Sequence, residues 1–531
     1  MVYNSGEKKK WGDDRAMNHE NDLGKQLAEQ INLNKKLQEE NQKLRDTIAK
    51  REATIADRIA AAVSDAAKQA TAPLIEELAK AHIEIARLNA IINKDSSNSS
   101  KPPRTNGYKG IPNSRERSKK PQGGQEGHPG HRLSLPEDLD KLEENGIVER
   151  RLIDHTNGSG EYESRFTIDM EMKIVITEHR FSKGAELPAE LYNEVSYGDG
   201  IKVQTILLLN EGIVAEKRLS QIISGMTHGV VNLSTGTIDR FQKDFANRLT
   251  VTGELEGIKQ DLLNGDVMHT DDTPLRTLER VVYSEESETG AANPNCEHAE
   301  KTSFRATVRT HSNERSTLYT VNPKKDIKGI ERDGILPAYK GTLCQDDESK
   351  FYNYGSNNGT CGAHLSRELK GLCDLHNCPW AEEMRVFVTG MNKYKNNDLA
   401  AGVLSCDPQK LSFFESEYDH IIENGRTMLG QMKGDEWGYA KFRAMLNRLT
   451  KRKDNYMLFM RDYKVPFTNN LAERDLRAEK TKEKVSGLFR SWDGIVDHAK
   501  IRSFLSTAKK RGIDLCFAIR EVIGGRPVLS Q

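Results

Sequence analysis

The chain has 531 residues, with Lys plus Arg and Asp plus Glu balanced at 79 each. That length suits about three or four domains, and the balance excludes partner choice by overall charge, so partners must be read from local charge. The start "MVYNSGEKKKWGDD" lacks the apolar core of a secretory leader, no run of about 18 apolar residues offers a membrane span, and all seven cysteines lie at or after Cys296, so a reduced, cytoplasmic protein without membrane contact is expected.

Residues 1–94 read as an N-terminal helical, coiled-coil oligomerisation region. Leu37, Asn41, Leu44, Ile48, Arg51 and Ile55 step by four and three. After Pro73 the rhythm restarts with Leu74, Leu78, Ala81, Ile85, Leu88 and Ile92. Such a heptad seam predicts a homo-oligomer, and an Asn at a seam position, as at Asn41, fixes register. A long helix packed on its own domain is the alternative. Residues 95–132 form a Ser/Pro/Gly-rich basic linker. From Lys101 to Arg132 it holds eight Lys/Arg against two Glu. It cannot bury enough apolar surface to fold alone, and it reads as a solvated linker or as a basic arm along phosphates.

Residues 133–195 make a small module, in which "RFTIDMEMKIVITEHRF" (165–181) alternates like a strand or hairpin. Residues 196–255 turn helical. "EKRLSQIISGM" (216–226) leads through "THGVVNL" to "STGTIDRFQKDFANRL" (234–249), with Ser234 as N-cap. The arrangement suits a helix-turn-helix or an ordinary helical hairpin equally.

Residues 256–515 carry the acids. A short strand over 266–271 ends at Asp271 and Asp272. Two further strands follow at 304–311 and 316–323, then a helix over 326–339. A last strand in "GTLCQDDES" (341–349) ends at Asp346 and Asp347. If the first and last of these strands are neighbours, Asp271 and Asp346 can share a divalent cation held by oxygen ligands. Glu473 opens a helix after "FTNN" and suits the third carboxylate of a two-metal site. Acids that merely cap loops are the plain alternative. Two basic stretches could hold phosphates: Arg474, Arg477 and Lys480 beyond Glu473, and Lys451, Arg452 and Lys453 within "FRAMLNRLTKRKDNYMLFMRDYK" (442–464), where Tyr and Phe interleave. A solvated helix face explains the first set as well. Cys373, His376 and Cys378 in "CDLHNC" are better read as reduced thiols beside a histidine than as a zinc half-site. Residues 516–531 are a C-terminal tail.

Taken in order, "SSNSSKPP" (96–103), "PQGGQEGHPGH" (121–131), "SYGDGIKVQTILLLNEG" (196–212), "HTDDTPLRTL" (269–278), "GTLCQDDESKFYNYG", "CGAHLSREL" (361–369) and "TNNLAERDLRAEKTKEKVSGLFRS" (468–491) resemble the insertion sequence 66 family of bacterial transposases. The resemblance implies an α/β multidomain protein. Its parts would be an RNase H-like catalytic core of mixed sheet and helices, an N-terminal coiled coil and a helical DNA-binding region. Its DDE triad would be Asp271, Asp346 and Glu473, which act as catalytic residues and as ligands of Mg2+ or Mn2+. A helical insertion of the core at about 380–460 accounts for the long gap before Glu473. Asp272 replaces the glutamate usual beside the first acid, and Asp347 the commoner glycine. Relatives carry zinc-binding cysteine pairs in the region of 133–195. No cysteine precedes Cys296 here, so no structural zinc is expected. The implied partners are DNA, as element ends and target, and other element-encoded proteins; the implied location is the nucleoid. His364 in "AHLSRE" is read as a structural histidine before a catalytic one. A catalytically inert DNA-binding accessory or regulatory protein of a mobile element is the competing reading.

Overall fold

In a computed structural model of the chain, residues 35–47, 50, 71–92, 94, 98, 134–155, 163–184, 186–188, 191, 193–282, 302–434 and 437–529 are described. The chain divides into two compact units, Met1–Tyr108 with His364–Asp454, and Lys109–Ala363 with Asn455–Gln531. Residues 35–47 and α1 (Thr71–Ile92) are helical, as their periodicity predicts. In the first, Asn41 is half-buried while Leu37 and Leu44 are exposed; in α1, Ala81, Ile85, Leu88 and Ile92 are half-buried between exposed neighbours. Ile48, Arg51 and Ile55, the side chains of Leu74 and Leu78, and all of the linker 95–132 except Asn98 lie outside the described residues.

In the second unit, residues 163–182 form no strand, contrary to the alternation. Ile176 is 87% exposed and Met170 80%. A period of two supplies one apolar face, but a lone hairpin is marginal unless something covers that face. Four helices follow: α2 (Asp199–Asn210), α3 (Glu216–Met226), α4 (Thr235–Val251) and α5 (Glu254–Leu263). Ser234 caps α4 as expected, accepting from the Thr237 N–H at 3.1 Å. Val203, Ile206, Leu219, Phe245 and Ile258 of these helices share one core with the sheet residues Met268, Leu318 and Leu343.

The sheet has β1 (Val267–Val282), β2 (Thr302–Ser312), β3 (Thr317–Asn322), β4 (Thr342–Gln345) and β5 (Asn357–Thr360), in the order β3-β2-β1-β4-β5. β1–β2 and β2–β3 are antiparallel; β1–β4 and β4–β5 are parallel. The first strand thus neighbours the fourth, as a shared cation would require. It does not stop at Asp271 but continues to Val282. Its pairing with β4 ends at His269–Cys344, while pairing with β2 goes on through Asp271, Asp272 and Pro274. Proline has no N–H to give a second neighbour, and here β1 has none. Farther along, the Phe489 backbone covers that edge, exchanging hydrogen bonds with Leu278 and Arg276. The helix expected over 326–339 is only α6 (Ile327–Asp333), because Gly334 takes a left-handed conformation at φ 64° and terminates it.

The next helices are α7 (Gly362–His376), α8 (Pro379–Ala400), α9 (Pro408–Gln431) and α10 (Tyr439–Lys451). From His364 onward they form the first unit around Trp380, Met384, Val388, Ile421, Phe442 and Leu446. Trp380 Nε1 donates to the Ile421 carbonyl at 2.6 Å. Gly425 makes room for that indole, since a Cβ there would lie 2.6 Å from Nε1.

The chain then gives α11 (Lys453–Arg461), α12 (Asn470–Ser486), α13 (Trp492–Lys510) and α14 (Leu515–Ile523). An edge strand leaves backbone donors without partners, and α13 supplies them along β3. The Thr317 N–H donates to Thr507 Oγ1 and the Tyr319 N–H to Ser503 Oγ.

Candidate metal and catalytic site

The pairs Val267–Thr342, Met268–Leu343 and His269–Cys344 share an offset of 75 residues. Asp271 and Asp346 have the same offset. Each lies two residues beyond the last pair, on adjacent strands at one edge of the sheet. Cys361 follows the end of β5, and its N–H donates to the Gln345 carbonyl. Asn469, fully buried, joins these strand ends to α12. Its Nδ2 donates to the Thr270 carbonyl at 2.9 Å and to Asp346 Oδ1 at 3.0 Å. Its Oδ1 meets His269 Nδ1 at 3.0 Å, and its backbone N–H donates to Cys361 Sγ at 3.3 Å. Glu473 stands one turn farther along the helix. Ligand atoms of Asp346, Cys361 and Glu473 all lie within 4.8 Å of one another.

Charge is concentrated here. Burial, then the charge of Asp346, pushes the Asp271 carboxyl up to about 7, although the Asp272 N–H donates to it at 2.8 Å and Lys480 pulls the other way. Burial lowers His269, so its ring is the neutral hydrogen-bonding partner of Asn469. Asp347 sits at φ 67°, a left-handed conformation that costs least for glycine. Asp347 holds its place by accepting from the Tyr352 and Tyr456 hydroxyls at 2.6 and 2.7 Å.

Asp272 has the opposite environment. Successive side chains of a strand point to opposite faces, and its carboxylate is fully buried among Lys325, Lys350 and Arg309, at 2.6, 2.6 and 3.6 Å. It neutralises buried cations and is turned away from the edge that holds Asp271.

The seating of α12 rests on charged groups. Asp475 accepts from Ser312, Thr317 and Lys510, and its carbonyl from the Tyr319 hydroxyl. Glu479, 1% exposed, meets His498 at 3.1 Å. The outer face carries exposed Arg474, Arg477, Lys480 and Lys484. At 100° per residue, Arg477, Lys480 and Lys484 fall within about 40° of Glu473 around the axis, so a cationic stripe starts at the acid. In the first unit, Lys451 is exposed at the end of α10, whereas Lys453 is tied to Asp419 at 2.7 Å. Arg452 caps α10.

The geometry therefore brings Asp346 and Glu473 together, with Asp271 beside Asp346. Sequence reasoning missed Asn469, Cys361 and Asp475. Asn469 stood in the "NN" before the helix, where it reads as a helix cap, but its side chain makes no capping bond. Cys373 and Cys378 are free thiols, and the His376 ring packs on Trp437 with centroids 5.1 Å apart. The donor chemistry fits a hard divalent cation: oxygen ligands converge, and one carboxyl is held up by burial and by the negative charge of another. Among the described residues no helix is long and apolar enough to cross a membrane.

Comparison with known proteins gives a family. A family model described as "Transposase IS66 family" matches residues 195–496, more than half of the chain. The uncharacterized protein y4jO of Sinorhizobium fredii is 32% identical over 87 residues, 16% of this chain. The chain spans about a quarter, 27%, of that relative's length. On the family match, this chain belongs to the IS66 family of transposases.

Proposed function

We propose that the protein is a DDE transposase that cleaves element ends and joins them to target DNA, with Asp271, Asp346 and Glu473 as its metal-binding acids. One observation carries the reading: carboxylates from β4 and α12, far apart in sequence, have oxygens within 4.8 Å of each other, with Asp271 at the matching register on β1. The strand order, with three antiparallel strands followed by two parallel ones, supports an RNase H-like core. Magnesium or manganese held by these carboxylates would supply the positive charge that offsets charge developing on the scissile phosphate. The chain does the rest. Asn469 fixes the Asp346 carboxylate, Asp475 seats α12, and Arg474, Arg477 and Lys480 grip the DNA backbone beside Glu473. Lys451 and Arg452 add phosphate contacts, while Lys453 is left to its ion pair. Oligomerisation through a coiled coil belongs to this reading on the heptad spacing of Leu74, Leu78, Ala81, Ile85, Leu88 and Ile92. Element-encoded proteins and the nucleoid complete the setting.

A nicking assay on DNA carrying the element ends tests the reading. Magnesium-dependent cleavage by the wild type is expected, lost in Asp346→Ala and Glu473→Ala while both still bind DNA. Intact binding without cleavage under magnesium or manganese would instead establish an inert accessory protein. Replacing Arg477 and Lys480 together by Ala should weaken DNA binding and flatten its salt dependence by about two ions; an unchanged salt slope refutes the phosphate role.

Asn469→Ala separates positioning from folding. Two buried partners, the Thr270 carbonyl and His269, lose their hydrogen bonds at a cost of about 1–3 kcal/mol. Release of the Asp346 carboxylate should lower cleavage by roughly 100-fold and raise the manganese concentration needed for half-maximal rate. A stability loss without that shift in manganese dependence would reduce Asn469 to a packing residue.

A further inference from the structure

Cys361 brings a thiol into the acidic site. Its Sγ belongs to one group of ligand atoms with carboxylate oxygens of Asp346 and Glu473. The residue is 2% exposed, and the Asn469 N–H donates to the sulfur at 3.3 Å. A buried cysteine alone behaves as a small apolar side chain. This one has two acids on hand and a donor N–H that stabilises negative charge on sulfur. Bonds of about 2.0–2.3 Å at tetrahedral angles set ligand atoms roughly 3.3–3.8 Å apart. Donors that lie within 4.8 Å of one another reach that spacing by side-chain shifts of about 1 Å.

Donor type then decides which cation. Magnesium selects oxygen and leaves a thiol aside. Thiolate favours softer ions. We propose that Asp346, Cys361 and Glu473 form a mixed thiolate–carboxylate site for a soft divalent cation of the zinc or cadmium class, which competes with the hard cation for two of the three acids. On binding, the S–H bond is replaced by a sulfur–metal bond, the proton passes to solvent, and no electrons change hands. Only the competition with magnesium rests on the transposase reading; the donor set stands without it. The consequence is a centre that zinc occupies in a form unable to serve the reaction.

Cadmium titration of the 531-residue protein, followed by sulfur-to-cadmium charge-transfer absorbance, tests this against the other cysteines. The wild type should show one charge-transfer equivalent more than Cys361→Ser, and cadmium should displace bound manganese, read from the manganese EPR signal. Glu473→Gln keeps the sulfur and should weaken that equivalent by about 100-fold. Equal absorbance in wild type and Cys361→Ser overturns the proposal, as does an equivalent indifferent to Glu473→Gln. If Cys361→Ser does not fold, the Glu473→Gln arm decides alone. A wild type that binds cadmium in this way but never nicks DNA with magnesium upholds the site and rejects the transposase reading.

Discussion

Asp271→Asn is expected to abolish strand cleavage and, in metal-free buffer at pH 8, to melt at a higher temperature than the wild type. Both effects come from one carboxyl. Burial and the neighbouring charge of Asp346 raise it from 3.8 to about 7 in the folded protein. An acid whose folded pKa is raised favours folding most when protonated, and that stability is lost as pH rises from about 4 through 7. At about 1.4 kcal/mol per unit, the fully ionised carboxylate costs the metal-free fold up to roughly 4 kcal/mol. Asn mimics the protonated shape and avoids the cost. The variant's advantage should therefore be full above pH 7, shrink as the pH falls, and vanish near pH 4. Magnesium should raise the wild-type melting temperature and leave the variant nearly unmoved. Cleavage should drop by about a thousandfold or more, since a lost ligand forfeits several kcal/mol of charge stabilisation. Equal melting temperatures across the pH series would mean that Asp271 is not held in a carboxylate-repelling site.

The acids stood out in the sequence because Asp346 follows the end of a short strand and Glu473 lies in the first turn of a helix. The strands expected at 304–311 and 316–323 and the helix expected over 234–249 form as β2, β3 and α4, and the 75-residue spacing is the register of two parallel strands. What failed has physical causes. The alternation of 165–181 describes one face of a strand and nothing about a partner to pair with it. Asp271 looked like a strand end because a Thr-Pro follows; continuation depends on the far edge of β1 being open, which is a property of β4's length. The charges of α12 looked solvated because helix patterning assumes that charged faces meet water. Asp475 and Glu479 break that assumption, with Lys510 and His498 waiting across the interface. Asn469 was hidden for a similar reason: its residue type announces a cap, while its side chain reaches three strand-end residues distant in sequence.

Asp272→Asn, one residue from Asp271, should do the reverse and destabilise the protein by about 3–5 kcal/mol, the usual result of removing one partner from a buried ion cluster. Arg309 is fully buried, with Asp333 as its other acid, and Lys325 and Lys350 converge on the same carboxylate. Taking the charge from Asp272 leaves Arg309 and Asp333 closer to balance, but leaves the two lysines with only Glu348 between them. The amide can accept from one lysine; its NH2 group would face the others as a donor against donors. The loss should reach about 10 °C in melting temperature and persist with or without magnesium, because this carboxylate faces away from the edge that holds Asp271. Two adjacent acids thus separate by strand geometry alone. The side chain on one face loses stability by being charged, and the side chain on the other face supplies stability by being charged. Thermal melts of the two asparagine variants at pH 8 read that difference directly; shifts of the same sign would refute the assignment of faces and, with it, the choice of Asp271 over Asp272 as the acid of the site.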